Sequence, residues 1–249
     1  MFAGFLPSHP PGTKLLGRYD RVWRSRAARQ WNHDVYQYFR GKSIMDAYIE
    51  EGWNTYGLGG VQFFDPGIPE NSLPALFPEF VYVPGVTDKI VGDDSKLFPE
   101  SPGSVLLGIA SGVVSKEPFF WFVNFPETHF PYWTPGQPRG YEVNRLLRTA
   151  SEFINSKSRI PDGHPLIRDG GLNALRLMQI RALEYVDAQL AKLFVLLGNA
   201  NLSTLVVVCA DHGESFGEGG RLGHGHPGDT VTSVPMWVGR IVGSRAYRN

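Results

Sequence analysis

The chain has 249 residues but a single cysteine, Cys209, so it can close no internal disulfide and suits a reducing compartment. It also lacks an excess charge of either sign: Lys plus Arg and Asp plus Glu both number 24, leaving no overall field to attract nucleic acid or an anionic membrane surface. No apolar run is long enough to cross a bilayer, and the opening MFAGFLPSHPPG has neither a basic n-region nor a long apolar h-region. These absences predict a cytoplasmic protein that binds through local chemistry, with no nucleic-acid and no membrane partner. The locally basic RVWRSRAARQW (Arg21 to Trp31) reads as a solvated face. Internal repeats and low-complexity tracts are missing too. With 42% hydrophobic and 19% charged residues, the composition is far from a disordered one and predicts a single folded domain over residues 1–249.

Proline and glycine punctuate the first half, in PSHPPG, in FDPGIPENSLP (Phe64 to Pro74) and in FPESPG (Phe98 to Gly103), all read as loops. SIMDAYIEEGW (Ser43 to Trp53) predicts a helix, with Ser43 and Asp46 capping its first turn and Gly52 stopping it. NTYGLGGVQFF follows as a buried strand. FFWFVNF (Phe119 to Phe125) and STLVVVCA (Ser203 to Ala210) are apolar at nearly every position, as in strands covered on both faces of a parallel sheet. Burial in such a strand would keep the Cys209 thiol inert. Between them, Leu175, Ile180, Leu183, Val186, Leu190 and Phe194 recur at helical spacing and predict one long amphipathic helix over Asn173 to Leu197. Ser151 to Gly171 reads as a connector. Strands alternating with helices predict an α/β fold, a three-layer α/β/α sandwich around a mostly parallel central sheet.

Ligands in such folds gather beyond the carboxyl ends of the strands. Two polar segments begin there. NFPETHFPY follows one strand, and ADHGESFGEGGRLGHGHP follows the other. Asp211 and His212 offer an oxygen and a nitrogen, a pair that suits Zn²⁺ or Mn²⁺ better than the all-oxygen shell of Ca²⁺. Taken alone, they also read as a capping aspartate beside a hydrogen-bonded histidine. His224 and His226 alternate with glycine in a flexible loop, from which one of them is expected to reach a site. Glu127, Thr128 and His129 leave the first strand together. His129 can bind a metal or donate to an anionic oxygen, while Glu127 reads as a ligand or a cap, and Pro131 and Tyr132 wall the loop. Four of the seven histidines therefore converge on one sheet edge.

FFWFVNFPETHFPY, ALEYVDAQLAKLF and LVVVCADHGESFGEGGRLGHGHPGDTVTSVPMWV resemble, in this order, the carboxyl-terminal part of the sulfatase and alkaline phosphatase superfamily of metal-dependent hydrolases. MFAGFLP is similar to the stretch after that family's nucleophile, and SIMDAYIEEGWNTYGLGGVQFF to its next helix and strand. The resemblance implies an alkaline-phosphatase-like fold and cleavage of small-molecule phosphate or sulfate esters. It implies metal ligands at Asp211 and His212. It places His129 and His224 where they contact a second metal or the ester oxygens. The expected site is thus His129 and His224 as catalytic residues, with Asp211, His212, His224 and Glu127 holding a divalent metal, Zn or Mn before Ca or Mg. In the family an early Asp and a Ser, Thr or formylglycine nucleophile precede the segment matching MFAGFLP. FLPSHPPGTKLLGRY can also be set against the nucleophile segment itself, which leaves Phe5 or Leu6 at the nucleophile and Ser8 at a structural serine. Either alignment implies a domain incomplete at its amino end, with self-association or a partner chain supplying a missing strand. Two further readings stay open: a non-catalytic relative that binds a metal or a partner, and a phosphotransferase or mutase.

Overall fold

The computed structural model describes residues 43–68, 71, 73–84, 100–135 and 140–243. The readings made for MFAGFLP, for FLPSHPPGTKLLGRY and for Arg21 to Trp31 lie outside the described residues. The first helix, α1 (Ile44–Glu50), is opened by Ser43 in a reciprocal capping box with Asp46, and Gly52 at φ +80° ends it. Strand β1 (Asn54–Gly59) follows and is buried along almost its whole length. It forms the centre of a parallel sheet in the order β2-β1-β3, with β2 at Glu79–Tyr82 and β3 at Phe119–Val123. Tyr56 is in register with both Glu79 and Trp121.

Each face of this sheet has its own apolar layer. On one side Met45 of α1 packs with Phe64, Leu73 and Phe77, against Phe80 and Phe122 of the strands. On the other, Leu58 meets Leu106 and Ala110 of α2 (Pro102–Val114) and Leu193 and Leu197 of a long helix. Each fully buried leucine of this kind contributes roughly 1.5–3 kcal/mol. The start of α2 falls in the stretch read as a loop, Phe98 to Gly103: Ser101 caps it and Pro102 occupies its first turn, where a missing N–H costs nothing.

α3 (Tyr141–Ser156) precedes the long helix, α4 (Asp169–Asn199). The segment read as a connector therefore begins inside α3 and ends inside α4, and only its middle, residues 157–168, is irregular. α4 exists as expected, but its buried line is Leu175, Ala182, Val186, Leu193 and Leu197, while Ile180 and Leu183 are exposed. The cause is a change of partner along the helix. Its first half packs with Phe130, Leu147 and Phe216, and its second half lies on the sheet.

Strand β4 (Ser203–Cys209) pairs antiparallel with β7 (Met236–Val242), Val207 opposite Val238. Between them lie a short ribbon, β5 (Ser215–Phe216) with β6 (Leu222–Gly223), and a single helical turn, α5 (Asp229–Thr232). β4 corrects the expectation of a strand covered on both faces. Val206 and Ile241 face the core, whereas Leu205 is 64% and Met236 70% exposed. Cys209 lies on the exposed side, so its surroundings are not the buried ones predicted for it. None of the described helices is long and apolar enough to cross a membrane.

Candidate metal centre

The two polar segments meet. β3 ends at Val123 and passes through a short turn, Pro126–Thr128, that delivers His129. β4 ends at Cys209, after which the chain supplies His212 and, beyond the β5/β6 ribbon, His224. One ring nitrogen from each of His129, His212 and His224 lies within 4.8 Å of the other two. His212 and His224 stack with centroids 3.8 Å apart, and His129 stands edge-on to His224 at 5.1 Å.

Hydrogen bonds assign the proton on every ring. His129 Nδ1 is 2.7 Å from the Phe130 carbonyl oxygen, and His212 Nδ1 is 2.9 Å from that of Gly213. His224 Nδ1 is 2.6 Å from Glu214 Oε1. Carbonyls and carboxylates only accept, so all three Nδ1 atoms carry a hydrogen and Nε2 is the atom each ring can offer to a ligand. Burial above all, and then the nearby His224, push the His129 imidazole below its ordinary pKa. That favours the neutral form, the one that binds metals.

The remaining expected site residues are placed differently. Asp211 is exposed, with Oδ1 accepting from the His212 backbone N–H and lying 3.9 Å from His212 Nε2. Its carboxylate stands at the rim, outside the group of three imidazoles. Glu127 is fully buried and also outside that group. Its Oε1 accepts from the Gly103 N–H at 2.7 Å, at the start of α2. A Cβ on Gly103 would sit 2.7 Å from this oxygen, so a larger residue there would displace the Glu127 carboxylate. Burial pushes the Glu127 carboxyl above the usual range, against the opposing pull of the Ser101 hydroxyl and backbone N–H groups. Glu127 thus ties the His129 turn to α2. His226 is buried with Nδ1 near the Pro227 carbonyl, and the group of three does not include it.

Gly213 is required by space: a Cβ there would fall 2.0 Å from the Thr230 carbonyl oxygen, because its own N–H donates to Val231 of α5. Glu214 was given no role from the sequence, and Tyr132 was read only as a wall of its loop. Glu214 sits behind His224 with a side chain only 4% exposed, and its Oε2 accepts from the Tyr132 hydroxyl at 3.2 Å. Tyr132 is buried with φ +55°, a left-handed backbone that costs a bulky residue roughly 1–2 kcal/mol. Packing against Phe130 and Phe216 holds it there. The signal available was the acidic residue immediately after Asp211-His212-Gly213.

An α/β chain with three imidazoles gathered beyond the carboxyl ends of two strands has a site that could hold a metal ion. The chain belongs to the sulfatase family, whose family model matches residues 14–237. Its fold is that of the C-terminal periplasmic domain of EcEptC from Escherichia coli, with a TM-score of 0.55 and 16% identity, covering 86% of this chain and 55% of that one. The complex of that domain with Zn gives the same values. The soluble domain of lipooligosaccharide phosphoethanolamine transferase A from Neisseria meningitidis matches with a TM-score of 0.46 and 16% identity, covering 79% of this chain and 54% of that one. The chain spans about half the length of these solved structures. No curated protein matches it significantly in sequence.

Proposed function

We propose that the chain contributes the metal centre of an enzyme that cleaves small-molecule phosphate or sulfate esters with a divalent cation, zinc or manganese. The observation that carries this is the trio of imidazoles with every Nδ1 tied to an acceptor, which directs lone pairs from two remote strand ends toward a common point. A nitrogen-rich set of this kind suits zinc or manganese better than calcium or magnesium. The zinc complex of the E. coli domain with the same fold supports the choice.

His129, His212 and His224 would hold the cation, with Asp211, exposed at the rim, as the carboxylate to complete the set. A bound cation supplies positive charge to an ester's non-bridging oxygen and to the group that attacks it. The protein's part is orientation. The rings are fixed before the ligand arrives, so little reorganisation remains when charge builds on the ester. Glu127, held at the start of α2, keeps the His129 turn in place and is not a ligand in this reading.

The test is hydrolysis of aryl phosphates and aryl sulfates by the purified chain with added Zn²⁺ or Mn²⁺, alone and with an alcohol acceptor. Release of product that falls at least a hundredfold in His212→Ala and His224→Ala supports the reading. Product that accumulates as a new ester only when alcohol is present assigns a transferase rather than a hydrolase. Turnover unaffected by either substitution, or by Asp211→Ala, removes this site from the reaction.

A further inference from the structure

The cation site does not by itself explain why a carboxylate is buried directly behind one of its rings. Glu214 receives the Nδ1–H of His224 on one oxygen and the Tyr132 hydroxyl on the other. Both its oxygens are thus turned to protein donors, and it stands outside the group able to share an ion.

His224 differs from its two companions in how it is held. His129 and His212 follow closely on β3 and β4, and neutral backbone carbonyls accept their Nδ1 hydrogens. His224 instead lies between Gly223 at φ +73° and Gly225 at φ +87°, a stretch whose backbone does little to fix a ring. It is also the ring whose acceptor carries a charge and is itself braced by a second residue. Tyr132 in turn belongs to the loop after His129, so the brace spans the same two segments as the imidazoles.

We propose that Glu214 and Tyr132 are positioning residues of the cation site, holding His224 as its Nδ1–H tautomer with Nε2 directed at the ion. This rests on the reading that the three imidazoles bind a divalent cation. A carboxylate behind a ligating histidine fixes the ring and raises its basicity toward a metal. Here the tyrosine fixes the carboxylate. The sequence places these parts far apart, and only the fold makes them one unit.

The test is zinc affinity of the full chain, measured by competition with a chromophoric chelator, together with the tautomer of His224 from long-range ¹H–¹⁵N spectra of the metal-free protein. Glu214→Ala is expected to weaken zinc binding by about 10–100-fold. Glu214→Gln, which keeps an oxygen to accept the Nδ1–H but loses the charge, should fall between it and wild type. Tyr132→Phe should lose a smaller factor, with His224 still Nδ1-protonated. Thermal unfolding in EDTA separates this from a general loss of structure. If Glu214→Ala does not fold, Glu214→Gln and Tyr132→Phe decide. Wild-type zinc affinity in the Glu214 variants, or an Nε2-protonated His224 in the native chain, overturns the proposal while leaving the cation site intact. Zinc affinity that is equally indifferent to His212→Ala and His224→Ala overturns the cation site and the proposal together.

Discussion

The rings of His212 and His224 lie nearly face to face, their planes inclined by 28°, and neither hydrogen-bonds the other through Nδ1. Two imidazolium ions could not share this arrangement without strong repulsion. A cation shared between two neutral rings would avoid that repulsion.

Metal should therefore stabilise the fold. Zinc at a hundred times its dissociation constant is expected to raise the unfolding free energy by about 2.7 kcal/mol. Differential scanning fluorimetry should show a higher Tm with Zn²⁺, reversed by EDTA. His129→Ala and His224→Ala should abolish most of that shift. A zinc response of wild-type size in both variants would show that the ion binds elsewhere.

Gly213 offers the sharpest steric test. An alanine there places its Cβ 2.0 Å from the Thr230 carbonyl, so either β4's exit or α5 must move. Gly213→Ala is expected to destabilise the chain by roughly 1–3 kcal/mol and to weaken zinc binding as well. Chemical denaturation and metal titration of the same sample check both.

At Glu127 the prediction separates shape from charge. Glu127→Ala leaves the Gly103 N–H without its acceptor and opens a hole in a packed site, and it should cost about 2–4 kcal/mol. Glu127→Gln keeps the acceptor and removes the charge that burial disfavours, so its midpoint in urea should lie much closer to wild type.

Glu218 predicts an acid response. Burial raises its pKa, but its own backbone N–H and that of Phe216, together with Arg176, outweigh burial and hold the carboxyl below its ordinary value of 4.5. The unfolded chain therefore takes up this proton first as pH falls. The contribution is present in full above pH 4.5 and is lost as pH drops through that value and the lower folded one. The Arg176 pair is 43% exposed on both sides and screened by solvent, which limits its share to less than about 1 kcal/mol. Glu218→Gln should be less stable than wild type at pH 7, and the gap should close near pH 3 in parallel urea titrations.

The open side of the β4/β7 pair should tolerate polar residues. Leu205→Thr and Val238→Thr are expected to change stability by no more than about 0.5 kcal/mol, because both side chains already face water. Leu58→Ala, at a fully buried position in the central strand, should cost about 2–5 kcal/mol in the same assay.

Much of this architecture could be read from the chain alone. Ser43, Asp46 and Gly52 mark α1 because capping and left-handed termination are local chemistry. The meeting of His129, His212 and His224 followed from two apolar strands that each end in polar residues. α2 was hidden because Ser101-Pro102-Gly103, read as loop punctuation, is also a capped helix start. The open face of β4 was illegible for another reason: Leu205 and Val206 are alike in character, and only their neighbours in space distinguish them. Glu214, and any role of Tyr132 beyond walling its loop, escaped because their meaning is a hydrogen bond between distant residues, which periodicity cannot show.

His129 leaves one strand of the parallel sheet, and His212 and His224 leave the strand paired with β7. A cation gripped by all three would fasten the turn anchored on α2 to the ribbon that Arg176 and Glu218 secure to α4. The ion would then work as a rivet, added to the Tyr132–Glu214 and Tyr132–Phe216 contacts that already join the two pieces. Stripping it away should leave those contacts alone to hold the two together.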